Sequence, residues 1–284
     1  MNSAIHGLTD KCATGQELTN STSSYAPLTT SDTSQPPNMY IQPHLTQLLL
    51  TRAAYSNDSV LANLSLKNPL PPSIRLRKSA TLKDLAVLGA DDHTIAYPVW
   101  QAFWRELNAS GRPPILLAVD GADHWMGPTK YRGPDYEVLH AHQFALIKQF
   151  TELLFSRTPL ANGGMVLFST SGSNTPSYPT FNLLMNQLRA RQAGVALTAP
   201  EFPMPKPFSR PDTRVLDLFA GSEDVRLLDV QGLSTAEVKG LLEYFAHSGL
   251  VQDHITESKV AEYRALSGGG LVGELARLGR RLRA

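Results

Sequence analysis

Short, continuously apolar runs in the middle of the chain are separated by amphipathic stretches. Residues 115–119 (Ile-Leu-Leu-Ala-Val) and 165–168 (Met-Val-Leu-Phe) are too short for buried helices, so each predicts a strand buried on both faces of a sheet. Residues 225–230 predict a third strand. Amphipathic helices are predicted over residues 41–55, 96–108, 136–155 and 181–192. Strand, helix and strand in this order predict right-handed crossovers and a parallel sheet.

The C-terminal part of the chain is predicted to be helical. Ser234 and Glu237 have the spacing of a capping box, and Gly249 is suited to end the helix that they begin. Further helices are predicted from near Thr256 and from Leu271. The sequence therefore predicts an α/β fold followed by a small C-terminal helical subdomain.

The beginning of the chain differs in composition from the rest. Residues 1–38 are dominated by Ser, Thr, Asn, Gln, Pro and Gly, so they cannot bury enough apolar surface to offset the entropy lost on ordering. Lys11 is the only cation before Arg52, whereas a mitochondrial transit peptide is rich in arginine, so no targeting signal is predicted. We expect three parts: a flexible polar segment over residues 1–40, an α/β core over residues 41–232 and the helical subdomain over residues 233–284.

Positive charge is unevenly distributed, although the formal net charge is only +1. Five cations and no acid lie between Ser59 and Lys83, and four arginines lie close to the C-terminus. Such clusters attract a phosphate backbone, but blocks of like charge are also often simply exposed to solvent. Composition alone therefore leaves both interpretations open.

Three kinds of structure are disfavoured by the sequence. No apolar run approaches the ~20 residues that a membrane-spanning helix needs, so no membrane span is predicted. Cys12 is the only cysteine, which excludes an internal disulfide and a cluster of thiolate metal ligands. His140 and His142 lie two residues apart on a predicted helix, so they are expected to point to different faces and not to share a metal.

Asp120 directly follows the first predicted strand. The carboxyl ends of strands are where open α/β sheets bind their ligands, and in P-loop NTPases an acid at this point holds the Mg²⁺ of the nucleotide. An apolar strand followed by Asp is nevertheless a common pattern. Gly121 occupies the place where an AAA+ enzyme carries its water-activating Glu, so efficient hydrolysis would lack its general base.

A polar turn follows the second predicted strand. Ser171 or Asn174 in this turn is the candidate for a side chain that hydrogen-bonds a γ-phosphate, and the alternative is simple capping of the strand end. The loop that cradles phosphates, Gly-x-x-x-x-Gly-Lys-Ser/Thr, occurs nowhere in the chain. The glycines of residues 267–270 lack the lysine and are expected to separate two helices. The chain by itself is therefore not expected to bind a triphosphate tightly.

Several segments together resemble a known family. They are residues 112–124 (Arg-Pro-Pro-Ile-Leu-Leu-Ala-Val-Asp-Gly-Ala-Asp-His), 139–142 (Leu-His-Ala-His), 160–164 (Leu-Ala-Asn-Gly-Gly), 169–174 (Ser-Thr-Ser-Gly-Ser-Asn) and 232–244 (Gly-Leu-Ser-Thr-Ala-Glu-Val-Lys-Gly-Leu-Leu-Glu-Tyr). Their combination resembles the fungal branch of the mitochondrial small-subunit ribosomal proteins of the death-associated-protein type. The resemblance is strongest from about Thr81 to the end and looser back to Thr14.

This resemblance implies a fold and a function. Members of the family are similar to AAA+ or STAND NTPases, are reported to bind GTP, and lie in the head of the mitochondrial small subunit. Their phosphate-binding loop lies upstream of the part matched here. The chain is therefore expected to have an incomplete P-loop NTPase sheet and to be a structural constituent of the ribosome in the mitochondrial matrix, and not an enzyme.

The same resemblance implies ligands and partners. Asp120, Ser171 and Asn174 are the candidate residues of a degenerate or incomplete GTP site, with GTP or GDP and Mg²⁺ as cofactors only of a longer form. Mitochondrial ribosomal RNA and small-subunit proteins, but not DNA, are the expected partners. The candidate RNA-binding residues belong to the two basic clusters: Arg75, Arg77, Lys78, Arg280 and Arg281. The alternative is an active P-loop-type GTPase or ATPase that regulates ribosome assembly or apoptosis, and the helical C-terminus is also compatible with a protein-interaction module.

Overall fold

A computed structural model describes residues 26–27, 39–155, 157–170, 176–252 and 254–281. The chain forms two compact units, Met1–Arg226 and Leu227–Ala284. No helix within the described ranges is long and apolar enough to cross a lipid bilayer. The elements of the first unit are β1 (Ala26–Pro27), β2 (Tyr40–Ile41), α1 (Pro43–Ser56), α2 (Asp58–Leu61), α3 (Leu82–Asp91), α4 (Ala96–Leu107), β3 (Ile115–Val119), β4 (Pro128–Arg132), β5 (Val138–His140), α5 (Ala145–Leu154), β6 (Gly164–Phe168), α6 (Pro179–Gln192) and α7 (Thr213–Leu216).

Helices α1, α3 and α4 pack against one another in the first unit. Gly89 permits their close approach, because a Cβ atom at this position would lie 2.5 Å from Leu50 Cδ1 and 2.7 Å from Val99 Cγ1. Helix α3 was not predicted from the sequence, although Thr81 and Asp84 form a capping box at its beginning. The predicted helices that correspond to α1, α4 and α6 are confirmed to within about two residues at each end.

The predicted parallel pairing of the two apolar strands is confirmed. Strands β3 and β6 run parallel, with Ile115 opposite Gly164 and Val119 opposite Phe168. Gly164 has a φ of +139°, and a Cβ atom there would lie 2.0 Å from the carbonyl oxygen of Ile115, so only glycine fits the start of β6. The sheet is therefore of the α/β kind, with two strands in the described part of the chain.

The expectation that both strands are buried on both faces is wrong for β6. Met165 is 55% exposed and Leu167 is 49% exposed, and they lie beside the half-buried Leu116 and Ala118 of β3. Parallel strands are usually covered on both faces, so the exposure of this apolar face departs from the common pattern.

The predicted helix over residues 136–155 begins too early. Its first third is instead the strand β5, paired with β4 in an antiparallel hairpin, and a 3₁₀ turn over Ala141–Gln143. Tyr136 has a φ of +60°, which is incompatible with a continuing helix. The helix itself starts only at Ala145, so the apolar spacing of residues 139–154 came from a strand and a helix in succession.

The predicted third strand over residues 225–230 is wrong. This segment has no strand pairing, and Leu228 and Val230 are 86% and 85% exposed. Apolar residues alone do not make a strand, because a strand forms its backbone hydrogen bonds with a neighbouring strand. The boundary between the two compact units falls inside the same segment, after Arg226.

The second unit is helical, as predicted. Its helices are α8 (Thr235–His247), α9 (Glu257–Leu266) and α10 (Val272–Arg281). The Ser234–Glu237 capping box is present, and Gly249, with a φ of +71°, follows the end of α8. The core of this unit consists of buried apolar residues from all three helices and from the loop between α8 and α9: Val238, Leu242, Phe245, Val251, Val260, Tyr263 and Leu275.

The glycines between α9 and α10 separate two helices, as predicted. The amide of Leu233 donates to the carbonyl of Gly270 at 2.8 Å, which ties this turn to the residue before the cap of α8. A Cβ atom at Gly270 would lie 2.5 Å from the carbonyl oxygen of Leu233, so glycine is required by close packing of two backbones.

Candidate functional site

Asp120 and Ser169 lie side by side at the carboxyl ends of β3 and β6. The in-register pairing brings them together, and the Ser169 hydroxyl donates a hydrogen bond to Asp120 Oδ1. The strand ends are further joined because the Ser169 amide donates to the Val119 carbonyl at 2.9 Å and the Ala122 amide donates to the Ser169 carbonyl at 3.1 Å. Gly121 turns the chain here with a φ of +66°.

The structure therefore places one predicted site residue, Asp120, at an exposed position where a ligand could reach it. The other two, Ser171 and Asn174, lie outside the described residues, so their proposed contact with a phosphate stays a prediction. Ser169 was not singled out from the sequence. The sequence signal for Ser169 is its place directly after the second apolar run, since Asp120 has the same place after the first. In a parallel pair whose strands end together, these two residues become neighbours.

A second candidate site is the exposed loop between α2 and α3, called here the basic loop (residues 73–79). Arg75, Arg77 and Lys78 are exposed, and none of them has an ion pair within the described part of the chain. Ile74 within the loop and Ala80 directly after it are buried, and they anchor the loop to the core. Its cations therefore face solvent from a fixed position.

A buried carboxylate anchors the chain that leads into the basic loop. Glu106 is 1% exposed and accepts hydrogen bonds from the amides of Lys67 at 3.0 Å and Asn68 at 2.6 Å. Arg112, which is also buried, forms an ion pair with Glu106 at 2.5 Å and donates to the carbonyl of Ser65. Burial opposes ionisation of Glu106, but these hydrogen bonds outweigh it and lower the pKa of the carboxyl.

The remaining predicted RNA-binding residues, Arg280 and Arg281, lie at the end of α10. Their side chains are outside the described part of the structure. Arg277, one turn earlier, forms an ion pair with Glu274 at 3.1 Å.

His140 and His142 do not lie on an α-helix, so the prediction that helix geometry points them to different faces is wrong. Their rings pack edge to face with centroids 4.7 Å apart. The amide of His142 donates to His140 Nδ1 at 3.1 Å, so the neutral His140 ring carries its proton on Nε2, which lies 3.4 Å from Asp212 Oδ2. No group of three or more metal-ligating side chains is found among the described residues.

Both rings are held neutral by their surroundings. Burial and the nearby Arg214 lower the pKa of His140 to about 4, against a partial opposing effect of Asp212. Burial and His140 lower the pKa of His142 to about 3. The folded protein therefore resists protonation of this pair until well below neutral pH.

We expect the stability of the first unit to fall as the pH drops from 7 to 5. An unfolded histidine has a pKa near 6.5, so below that pH the unfolded chain binds protons that the folded chain excludes. At ~1.4 kcal/mol per pH unit for each group, the loss is roughly 2–4 kcal/mol. Urea midpoints followed by tryptophan fluorescence report it, because Trp100, Trp104 and Trp125 all lie in the first unit.

The controls for this prediction are two single variants. His142→Gln should reduce the pH dependence of the urea midpoint and leave the part due to His140, whereas His44→Gln at the exposed surface should leave it as in the wild type. Equal midpoints at pH 7 and pH 5 in the wild-type chain would contradict the assignment.

Comparison of the sequence with known protein families identifies the family to which the chain belongs. The family model described as mitochondrial ribosomal death-associated protein 3 matches residues 11–278. The chain belongs to this family. The resemblance noted from residues 112–124, 139–142 and 232–244 is thereby confirmed, and the match to the death-associated protein 3 family includes both units of the structure.

One protein similar to this chain comes from a fungus. Small ribosomal subunit protein mS29 of Neurospora crassa is 38% identical over 269 residues, which is 92% of this chain and 54% of the relative. The chain therefore spans about half the length of the relative that it matches. Asp120, the basic loop and the Glu106–Arg112 pair all fall within the part matched to the death-associated protein 3 family.

Proposed function

We propose that the chain is a structural constituent of the small subunit of the mitochondrial ribosome and supports mitochondrial translation in the matrix. The observation that carries this proposal is the 38% identity, over 92% of the chain, to a protein named as a small ribosomal subunit protein. Identity of this level over almost the whole chain favours the same place of assembly for both proteins.

Contact with ribosomal RNA is supported by the basic loop. Its three cations are exposed and unpaired within the described residues, and the loop is fixed at both ends by buried residues. The backbone of an anchored loop loses little conformational entropy when its cations bind a phosphate backbone, and binding releases counterions from that phosphate backbone. We propose Arg75, Arg77 and Lys78 as phosphate contacts, together with Arg280 and Arg281 at the end of α10.

An incomplete NTPase core over residues 41–232 is the further part of the proposal. It is supported by the parallel pair β3 and β6, with Asp120 and Ser169 at their carboxyl ends, and by the uncovered face that carries Met165 and Leu167. The sequence has no phosphate-binding loop, and Gly121 stands where a catalytic base is needed. We therefore propose that GTP or GDP with Mg²⁺ binds only to a form with further elements, and that this chain does not hydrolyse it.

The competing function is an active GTPase or ATPase that regulates ribosome assembly or apoptosis. The observation in its favour is the Asp120–Ser169 pair at the strand ends, which is where such an enzyme holds its metal. The enzyme would need the Asp120 carboxylate to hold its metal, whereas the structural role does not need this charge.

Depletion followed by rescue separates the two functions. Depleting the chain in the cells that produce it should reduce pulse labelling of mitochondrially encoded proteins several-fold, with cytosolic translation unaffected. Asp120→Asn keeps the size of the side chain and removes its charge, and we expect it to rescue labelling as well as the wild type does. Failure of this variant to rescue, at wild-type abundance, would favour the enzyme; unchanged labelling after depletion would refute the ribosomal role.

A further inference from the structure

A cavity of about 420 Å³ lies along one side of α5, opposite α7 and the 3₁₀ turn over Asp217–Gly221 that follows it. It contains neither Asp120 nor any residue of the basic loop. The side chains that give it its chemistry are Lys148, Thr151 and Arg157 on or just after α5, His142 before α5, and Arg214 and Asp217 on the opposite side. Its volume lies within the range of small-molecule sites in proteins.

Two of the residues that line this cavity have a buried polar atom without a hydrogen-bond partner among the described residues. Thr151 is 2% exposed, and its Oγ1 has no partner within the described residues; the same holds for His142 Nε2. A threonine inside a helix usually bonds the carbonyl one turn earlier, so its hydroxyl is normally satisfied. Leaving a buried donor or acceptor unpaired costs free energy, and such groups in native proteins often meet a ligand or a water molecule.

The charges around the cavity are only partly neutralised. Arg214 is bound by both oxygens of Asp212, at 3.0 and 2.9 Å, and Lys148 lies 4.0 Å from Glu152. Arg157 and Asp217 have no ion pair among the described residues. The cavity therefore offers one unmatched guanidinium and one unmatched carboxylate.

These groups fit a ligand that carries an anion and hydrogen-bond donors together. Arginine presents a fork of donors that matches phosphate, and the Thr151 hydroxyl can donate to a further phosphate oxygen. Asp217 can accept from hydroxyl or amino groups elsewhere on the same ligand. His142 stays uncharged at neutral pH because burial lowers its pKa, so its ring supplies a hydrogen bond and no charge.

We propose that this cavity binds a nucleoside monophosphate, either free or as one nucleotide of an RNA, with its phosphate on Arg157 and Thr151 and its donor groups on Asp217. This site is separate from the strand-end site and does not depend on the ribosomal role. Inorganic phosphate alone should bind weakly, because it can meet Arg157 and Thr151 but lacks the ribose and base groups that would donate to Asp217.

The test is isothermal titration calorimetry of the full chain with each of the four ribonucleoside 5′-monophosphates, the matching nucleosides and inorganic phosphate. We expect at least one monophosphate to bind saturably. Its nucleoside and inorganic phosphate should each bind at least about tenfold more weakly. Arg157→Gln should weaken the monophosphate about tenfold or more, as expected for loss of a charge-assisted contact. Arg210→Gln, which removes the same charge at an exposed position outside the cavity, should leave its affinity unchanged.

A second variant separates binding from folding. Thr151→Val keeps the shape of the side chain and removes a hydroxyl that has no partner, so we expect an unchanged or higher urea midpoint with a several-fold weaker affinity. Competition by a short single-stranded RNA would identify RNA as the source of the nucleotide, and its failure to compete would identify a free molecule. The proposal is overturned if none of the four monophosphates binds saturably, or if Arg157→Gln and Arg210→Gln bind alike.

Discussion

Glu106→Ala is expected to lower the free energy of unfolding of the first unit by about 3–5 kcal/mol. The change leaves Arg112 buried without its counter-ion, and the side chain of Arg112 is only 3% exposed. It also removes the acceptor of the Lys67 and Asn68 amides. Urea unfolding followed by tryptophan fluorescence measures the loss, because all three tryptophans lie in this unit.

Two further variants show whether the loss comes from the unpaired charge. Glu106→Leu combined with Arg112→Leu removes both charges, so it should cost less than Glu106→Ala alone. Glu201→Ala removes an exposed carboxylate from the same unit and should change the midpoint little. The anchoring role of Glu106 would be refuted if its alanine variant were no less stable than Glu201→Ala.

Reversing the charge of the basic loop is expected to remove most of the chain from mitochondrial small-subunit particles. In the variant with Arg75→Glu, Arg77→Glu and Lys78→Glu, three phosphate contacts become three repulsions, and each lost contact also removes a released counterion. The three side chains are exposed, so the fold should persist. Sucrose-gradient sedimentation of mitochondrial extracts, with detection of the chain in each fraction, measures incorporation.

The matched control for this variant carries the same charge change elsewhere in the first unit. Lys130→Glu, Lys206→Glu and Arg210→Glu alter three exposed cations outside the basic loop. They should leave incorporation close to that of the wild type. Equal loss in both triple variants would indicate a general effect of charge, and no loss in either would refute the RNA contact proposed for the basic loop.

Features that depend on a few neighbouring residues could be predicted from the sequence. The apolar runs predicted β3 and β6, and the order strand, helix, strand predicted their parallel pairing, with Asp120 at the edge. The Ser234–Glu237 spacing predicted the start of α8. The same signal at Thr81 and Asp84 would have found α3, had it been applied there.

Features that depend on distant residues could not be predicted in this way. Apolar spacing over residues 136–155 does not distinguish one helix from a strand followed by a helix, because both place Leu139 in the core. The buried ion pair joins Glu106 of α4 to Arg112, which lies just before β3. No pattern in the neighbouring sequence indicates that either charged residue is buried. The segment 225–230 is rich in apolar residues, as a strand would be, but only the fold shows that no strand is paired with it.

The most direct measurement of the proposed function is the sedimentation of the wild-type chain in a gradient of mitochondrial extract. We predict that it peaks with the small-subunit ribosomal RNA, stays there at a salt concentration that preserves the subunit, and moves to the top of the gradient after ribonuclease treatment. A chain that sediments as free protein while the small-subunit RNA remains in intact particles would contradict the proposed function.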